Sequence, residues 1–245
     1  MKVMKLRFIV LLFLLICHSA YTQSYEGKPC TGSVFLKKLL AIKELKQTIF
    51  IGDCNPDRGQ ATSSFLKASG KAPAKGIADD PDGDYAYDTW TCMYAGGSSV
   101  DGNNTTAWVE GVTGHGKGEL LMITKLDLSK KLEILSGFGK SQALFAANTR
   151  PKTINIHIVR ALPQAGGQSQ CGSNYDALKI ITSSKVILKD INQFQPLPMV
   201  PFKKETYLFQ GEQWEYQYWL MIELVDVYPG TKYQDTCISE IRNVK

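Results

Sequence analysis

The chain has 245 residues, 44% of them hydrophobic and 21% charged, with a formal net charge of +5 at pH 7. That length is enough for one domain with a full core and a short extension. No Lys/Arg block is longer than two residues, which excludes the concentrated basic footprint of a nucleic-acid binder.

In chain order, Lys2, Lys5 and Arg7 precede an apolar run over residues 8–17, and the polar stretch 18–23 contains the small residues Ser19 and Ala20. This order reads as a secretory signal over residues 1–23. The run is too short for a membrane span. Ile16 stands where a lipobox before Cys17 needs a small residue, so a lipid anchor is not expected. No later run is long enough to cross a bilayer. The expectation is a protein without a membrane span that is secreted, periplasmic or displayed at the cell surface. Loss of the signal removes three basic residues and brings the net charge near zero.

Cys30, Cys54, Cys92, Cys171 and Cys237 remain after Cys17 leaves, and export makes one or two disulfides plausible. Many pairings fit, with Cys30–Cys54, flanking one short helical segment, as the first choice. The absence of a C-x-x-C pair argues against a structural zinc site.

Residues 24–60 form an N-terminal extension with one helix. Ser33 is its expected cap, and Leu36, Leu39, Leu40, Leu45 and Ile49 recur at helical spacing. From residue 61 the texture changes to short strands between Gly, Pro, Asn and Asp. The clearest are 119–124, 132–135, 153–160, 177–191 with a break at Ser183-Ser184, and 217–228. Ile154, Ile156 and Ile158 alternate with Asn155 and His157, which places His157 on a solvated polar face. A short closing strand spans 238–241, where Glu240 falls on the face of Ile238. Many short strands separated by turns indicate an all-β sandwich. Residues 70–102 and 161–175 read as long loops. Tyr85, Tyr87, Trp90 and Tyr94 argue that the first is ordered.

Motifs for catalysis are missing. Gly137-Phe138-Gly139-Lys140-Ser141 lacks the leading glycine of a phosphate loop, where Ile134 stands instead. Gly114-His115-Gly116-Lys117-Gly118 precedes a strand, not a helix, and reads as a tight connection. There is neither G-x-S-x-G nor H-E-x-x-H. The run Asp101-Gly102-Asn103-Asn104-Thr105-Thr106 offers clustered oxygen atoms suited to a hard cation such as calcium. The same residues also make an Asx-type turn with no metal.

Six stretches follow one another in a familiar order: Ala61-Thr62-Ser63-Ser64-Phe65-Leu66, DGNNTTAWVEGVTGHGKGE from Asp101, GFGKS from Gly137, Asn148-Thr149-Arg150-Pro151-Lys152, Leu188-Lys189-Asp190, and YPGTKYQDTCISEI from Tyr228. Together they resemble the discoidin-like domain of secreted bacterial NAD glycohydrolases. That translocation or glycan-binding domain is akin to factor V/VIII C-type and galactose-binding modules. The resemblance covers residues 61–245, with an insertion at about 70–99. It implies a jelly-roll β-sandwich of the galactose-binding-domain type, preceded by the short helical segment. It also implies a structural calcium held between the Asp-Gly turn and a glutamate of the last strand. Carried onto this chain, the ligands are Asp101, Asn104 or Thr106, and Glu240. Asn104 stands where relatives often carry Asp, which lowers the ligand charge. No NAD-cleaving domain is expected in this chain, so the enzymatic activity of such relatives is not carried over.

The implied role is a secreted, non-catalytic module that binds surface glycans. Aromatic rings stack on sugar faces while a few polar groups fix orientation. The candidate contacts are Trp90, Tyr94, Tyr85 and His115, with Arg150 as a polar partner. The alternative is a module that binds another protein or scaffolds a complex of the bacterial cell envelope.

Overall fold

The computed structural model describes residues 27–52, 57, 59–76, 85–169 and 171–244; the expected signal over 1–23 lies outside them. Helix α1 spans Phe35–Ile42 and is followed by strands β1 (Glu44–Leu45), β2 (Ile49–Gly52) and β3 (Ala61–Thr62). Helix α2 (Ala86–Thr91) and a 3₁₀ turn (Gly96–Ser99) lead to β4 (Trp108–Val109), β5 (Leu120–Ile123) and β6 (Leu132–Ser136). After α3 (Gln142–Ala147) come the long strands β7 (Arg150–Ser169) and β8 (Gly172–Ile187), then β9 (Gln195–Leu197). A hairpin of β10 (Thr206–Phe209) and β11 (Glu212–Glu215) precedes β12 (Gln217–Tyr228) and β13 (Cys237–Asn243).

These strands make a 7-stranded sheet, β1-β8-β7-β12-β5-β3 with β2 also on β8, and a 4-stranded sheet, β4-β13-β6-β9. The pairings in both are antiparallel. Leu121, Ile123, Ile154, Ile156, Leu220, Ile222 and Leu224 from the larger sheet meet Trp108, Ile134, Ile238 and Ile241 from the smaller one in a single buried cluster. The opposite face of the larger sheet is buried as well. There Leu36 and Leu39 of α1 cover Leu120, Met122, Val159, Trp219 and Met221. Burial on both faces explains why β5 reads Leu-Leu-Met-Ile without alternation.

The expected helix is shorter than its apolar spacing suggests. Lys43 takes a left-handed conformation (φ 64°), closes α1 with an N–H bond to Leu39, and turns the chain into β1. Leu45 and Ile49 still enter the cluster under α1, but from strands. Ser33 does not cap α1 with its side chain; its N–H instead donates to the Thr62 carbonyl at 2.6 Å. The extension therefore adds strands to the main sheet.

Residues 161–175, expected to be a loop, form the far end of the β7–β8 hairpin, paired out to Ser169 and Gly172. The break expected at Ser183-Ser184 is absent, since both lie within β8. His157 is buried, not solvated. Its ring lies between Ser183 Oγ at 2.7 Å and Glu223 Oε2 at 3.3 Å, beneath the end of α1. Cys30 is bonded to Cys92, which corrects the Cys30–Cys54 first choice. Cys171 is also in a disulfide, and Cys237 is free and buried.

Candidate functional site

The Asp101 turn is built by its own side chains. Asp101 accepts from the Asn103 N–H at 2.8 Å and the Thr106 hydroxyl at 2.8 Å, and Asn103 Oδ1 accepts from the Thr105 N–H at 3.0 Å. Gly102 sits at φ 77°, which suits a glycine. Its N–H donates to Glu240 Oε2 at 3.2 Å, so the closing strand meets the turn across the chain. Glu240 is 2% exposed. Burial first, and the neighbouring Asp101 charge second, push its carboxyl up to about 7. The structure thus brings Asp101, Thr106 and Glu240 to one place, with Asn104 exposed on the same turn.

A second glutamate ties the same segments together. Glu110 is fully buried and accepts from the backbone N–H groups of Val112 and Thr236 at 2.9 and 3.2 Å. Burial pushes its carboxyl up to about 7. Gly116, at φ 65°, lies so close to Glu110 that a side chain there would overlap it. The glycine-dense run from Gly114 is therefore a wrap around a buried carboxyl, and Thr236 Oγ1 donates to the His115 carbonyl at 2.8 Å to close it.

The predicted binding residues fall into three places. Trp90 and Tyr94 converge on Ser69: the indole N–H donates to its carbonyl at 3.2 Å, and the phenol lies 3.0 Å from its hydroxyl. Tyr87 joins this ledge, 5.9 Å from the Trp90 ring, while Tyr85 precedes α2. The ledge is braced by the Cys30–Cys92 disulfide and by the Lys28 N–H, which donates to buried Asp88 at 2.7 Å. His115 sits apart, half-buried, with Nδ1 3.2 Å from both Thr149 Oγ1 and the Gln234 carbonyl.

Arg150 is 8% exposed and turned inward. It grips Asp190 with two bonds at 2.8 and 2.7 Å and donates to the carbonyls of Asn148 and Pro229 at 2.9 and 3.3 Å. Its place in the structure is that of a clamp between α3, β7 and the Pro229 turn.

Sequence reasoning missed the β10–β11 hairpin, which presents Tyr207, Phe209 and Trp214 beside the far end of β7 and β8. The available signal was the turn pair Gln210-Gly211 between two short aromatic-bearing runs.

The model of the NAD glycohydrolase translocation F5/8 type C domain matches residues 86–243, more than half of the chain. The chain belongs to this family. The sandwich is accordingly of the discoidin-like F5/8 type C kind, and the family description is of a translocation domain. The interlocked Asp101–Gly118 and Tyr228–Ile241 segments both lie inside the family match. No curated protein matches the chain.

Among solved structures, a mutant arabinofuranosyltransferase AftD from Mycobacteria is 12% identical, with a TM-score of 0.35. It is matched over 75% of this chain and 11% of its own. A mutant Ruminococcus gnavus GH29 fucosidase in complex with fucose is also 12% identical, with a TM-score of 0.29 over 78% of this chain and 26% of its own. The chain thus spans a small part of each, and likeness at that level fixes no function. Among the described residues, no helix is long and apolar enough to cross a membrane.

Proposed function

We propose that this translocation-family sandwich is a non-catalytic, exported module that binds surface glycans. The observation that carries the reading is the F5/8 type C match over residues 86–243, a domain type that binds rather than transforms its ligands. The aromatic ledge of Trp90 and Tyr94, with Tyr85 just before α2, offers ring faces and polar groups of the kind sugars use, while His115 lies apart from it. Arg150 stands apart from that ledge, where it holds α3 to the Pro229 turn.

We further propose that the Asp101 turn and Glu240 hold a structural calcium. The residues fit: a buried carboxylate faces a second carboxylate, and hydroxyl and carbonyl oxygens lie around them. The donors at the turn are oxygen atoms throughout, which suits an oxygen-seeking cation rather than zinc. Calcium there would tie the chain's closing strand to the turn before β4. A melting curve in calcium against chelator checks this, with a rise in Tm expected for wild type and none for Glu240→Gln.

Glycan binding is tested by affinity electrophoresis of the exported chain through gels containing polysaccharide. Retardation relieved by the free sugar supports the reading; migration unchanged in every gel removes it.

A further inference from the structure

We infer that the groove between the far end of the β7–β8 arm and the β10–β11 hairpin binds a single neutral sugar ring of a glycan chain. This rests on the carbohydrate-binding reading and gives it a site distinct from the Trp90 ledge. Pro163 lies thirteen residues beyond Arg150 along β7, on the order of 40 Å at strand rise. The groove is therefore far from the Pro229 turn that Arg150 clamps.

The groove encloses about 200 Å³. That is below the range of roughly 300–1,000 Å³ typical of drug-sized ligands and suits one ring. Tyr207, Phe209 and Trp214 line one side, and Gln168, Asn174 and Gln217 the other. Among the described residues, no charged side chain lines it. Aromatic faces match the C–H face of a pyranose, and amides can both donate to and accept from its hydroxyls. A carboxylated or sulfated sugar would lose its hydration there without gaining a cation. The chemistry therefore selects a neutral glycan.

The platform is preorganised. Gln210 and Gly211 both take positive φ, 52° and 85°, the two-residue turn that matches strand twist. Phe209 meets Trp214 edge-on at 5.8 Å and 83°, which fixes the indole plane. At the hairpin's base Arg160 pairs with Glu205 and covers the Tyr216 ring at 4.4 Å. Beneath the groove, the Tyr175 hydroxyl donates to Gln217 Oε1 at 2.8 Å. Trp214 remains 47% exposed and Leu208 76% exposed on this projecting hairpin. Apolar surface left open at such a place is the mark of a contact surface.

The test titrates the full-length exported protein with neutral oligosaccharides of glucose, galactose, mannose and N-acetylglucosamine, and with their uronic-acid and sialylated counterparts, following tryptophan fluorescence. One neutral series is expected to bind. Trp214→Ala and Asn174→Ala should each weaken it at least tenfold with Tm held, and Trp214→Phe should restore most of the affinity. Binding that survives Trp214→Ala but is lost in Trp90→Ala overturns the groove and leaves the carbohydrate reading standing. Preference for the anionic series overturns the groove as a neutral-sugar site. Binding to none of the sugars, or Trp214-dependent binding to phosphatidylcholine vesicles alone, overturns the groove, and the absence of any sugar binding takes the broader reading with it.

Discussion

Two glutamates explain why the family's signature stretches keep company. Glu110 follows Trp108-Val109 and accepts from Thr236, while Glu240 follows Cys237-Ile238-Ser239 and accepts from Gly102. Each signature thus supplies the hydrogen-bond partner of the other. Glu110 is held well above its ordinary 4.5, at about 7, by burial. A carboxyl raised in the fold contributes stability that is present below 4.5 and lost as pH rises through about 7. His157 acts in the opposite sense: burial depresses it below 6.5, so its contribution is present above 6.5 and lost as pH falls below that toward its depressed folded value. The Tm of wild type is therefore expected to fall between about pH 4.5 and pH 7. Glu110→Gln should flatten that slope while keeping one of the two backbone bonds and setting its NH2 against the other N–H; an unchanged slope in a melting series would place the titration elsewhere. Arg150→Ala leaves Asp190 and several carbonyls unpaired, and a loss of roughly 3 kcal/mol is expected in urea unfolding.

Elements were legible where apolar and polar residues alternate, or where an unbroken apolar run is as short as that of β5. Thr153 to Arg160 and the later half of β12 announce themselves by alternation, and both are central strands. The β7–β8 arm does not, because beyond the sandwich its Gly- and Gln-rich residues face solvent on much of their length and no apolar period survives. Backbone pairing along the hairpin and with β2 holds it there instead. The helix end was misplaced for a related reason, since Leu45 and Ile49 are buried with α1 while belonging to strands. The cause is local, in the left-handed Lys43, so Lys43→Gly should relieve strain and raise stability by about 1 kcal/mol. At the same scale, the Cys30–Cys92 bond spans 62 residues and pins the extension to α2. Cys30→Ser is expected to cost roughly 3–4 kcal/mol, and non-reducing peptide mapping should recover Cys30 joined to Cys92.

For the molecule as a whole, the family and the two-layer sandwich could be read from ordered motifs, and the chain belongs to the translocation F5/8 type C family. The meeting of the Asp101 turn with Glu240 was legible only through that resemblance, because 138 residues separate Gly102 from Glu240. The aromatic hairpin was legible only as a turn at Gln210-Gly211. Its Tyr207 and Trp214 face each other across the β10–β11 pairing, and nothing in the sequence places them beside Gln168 and Asn174. The role proposed for both surfaces is the same, the holding of sugars. The direct measurement is binding of the chain to an array of neutral and anionic glycans, repeated with free sugar as competitor. The expected result is retention on a defined neutral class, abolished by the matching free sugar. Uniform background on every glycan, together with capture of a protein partner that no sugar displaces, would contradict it.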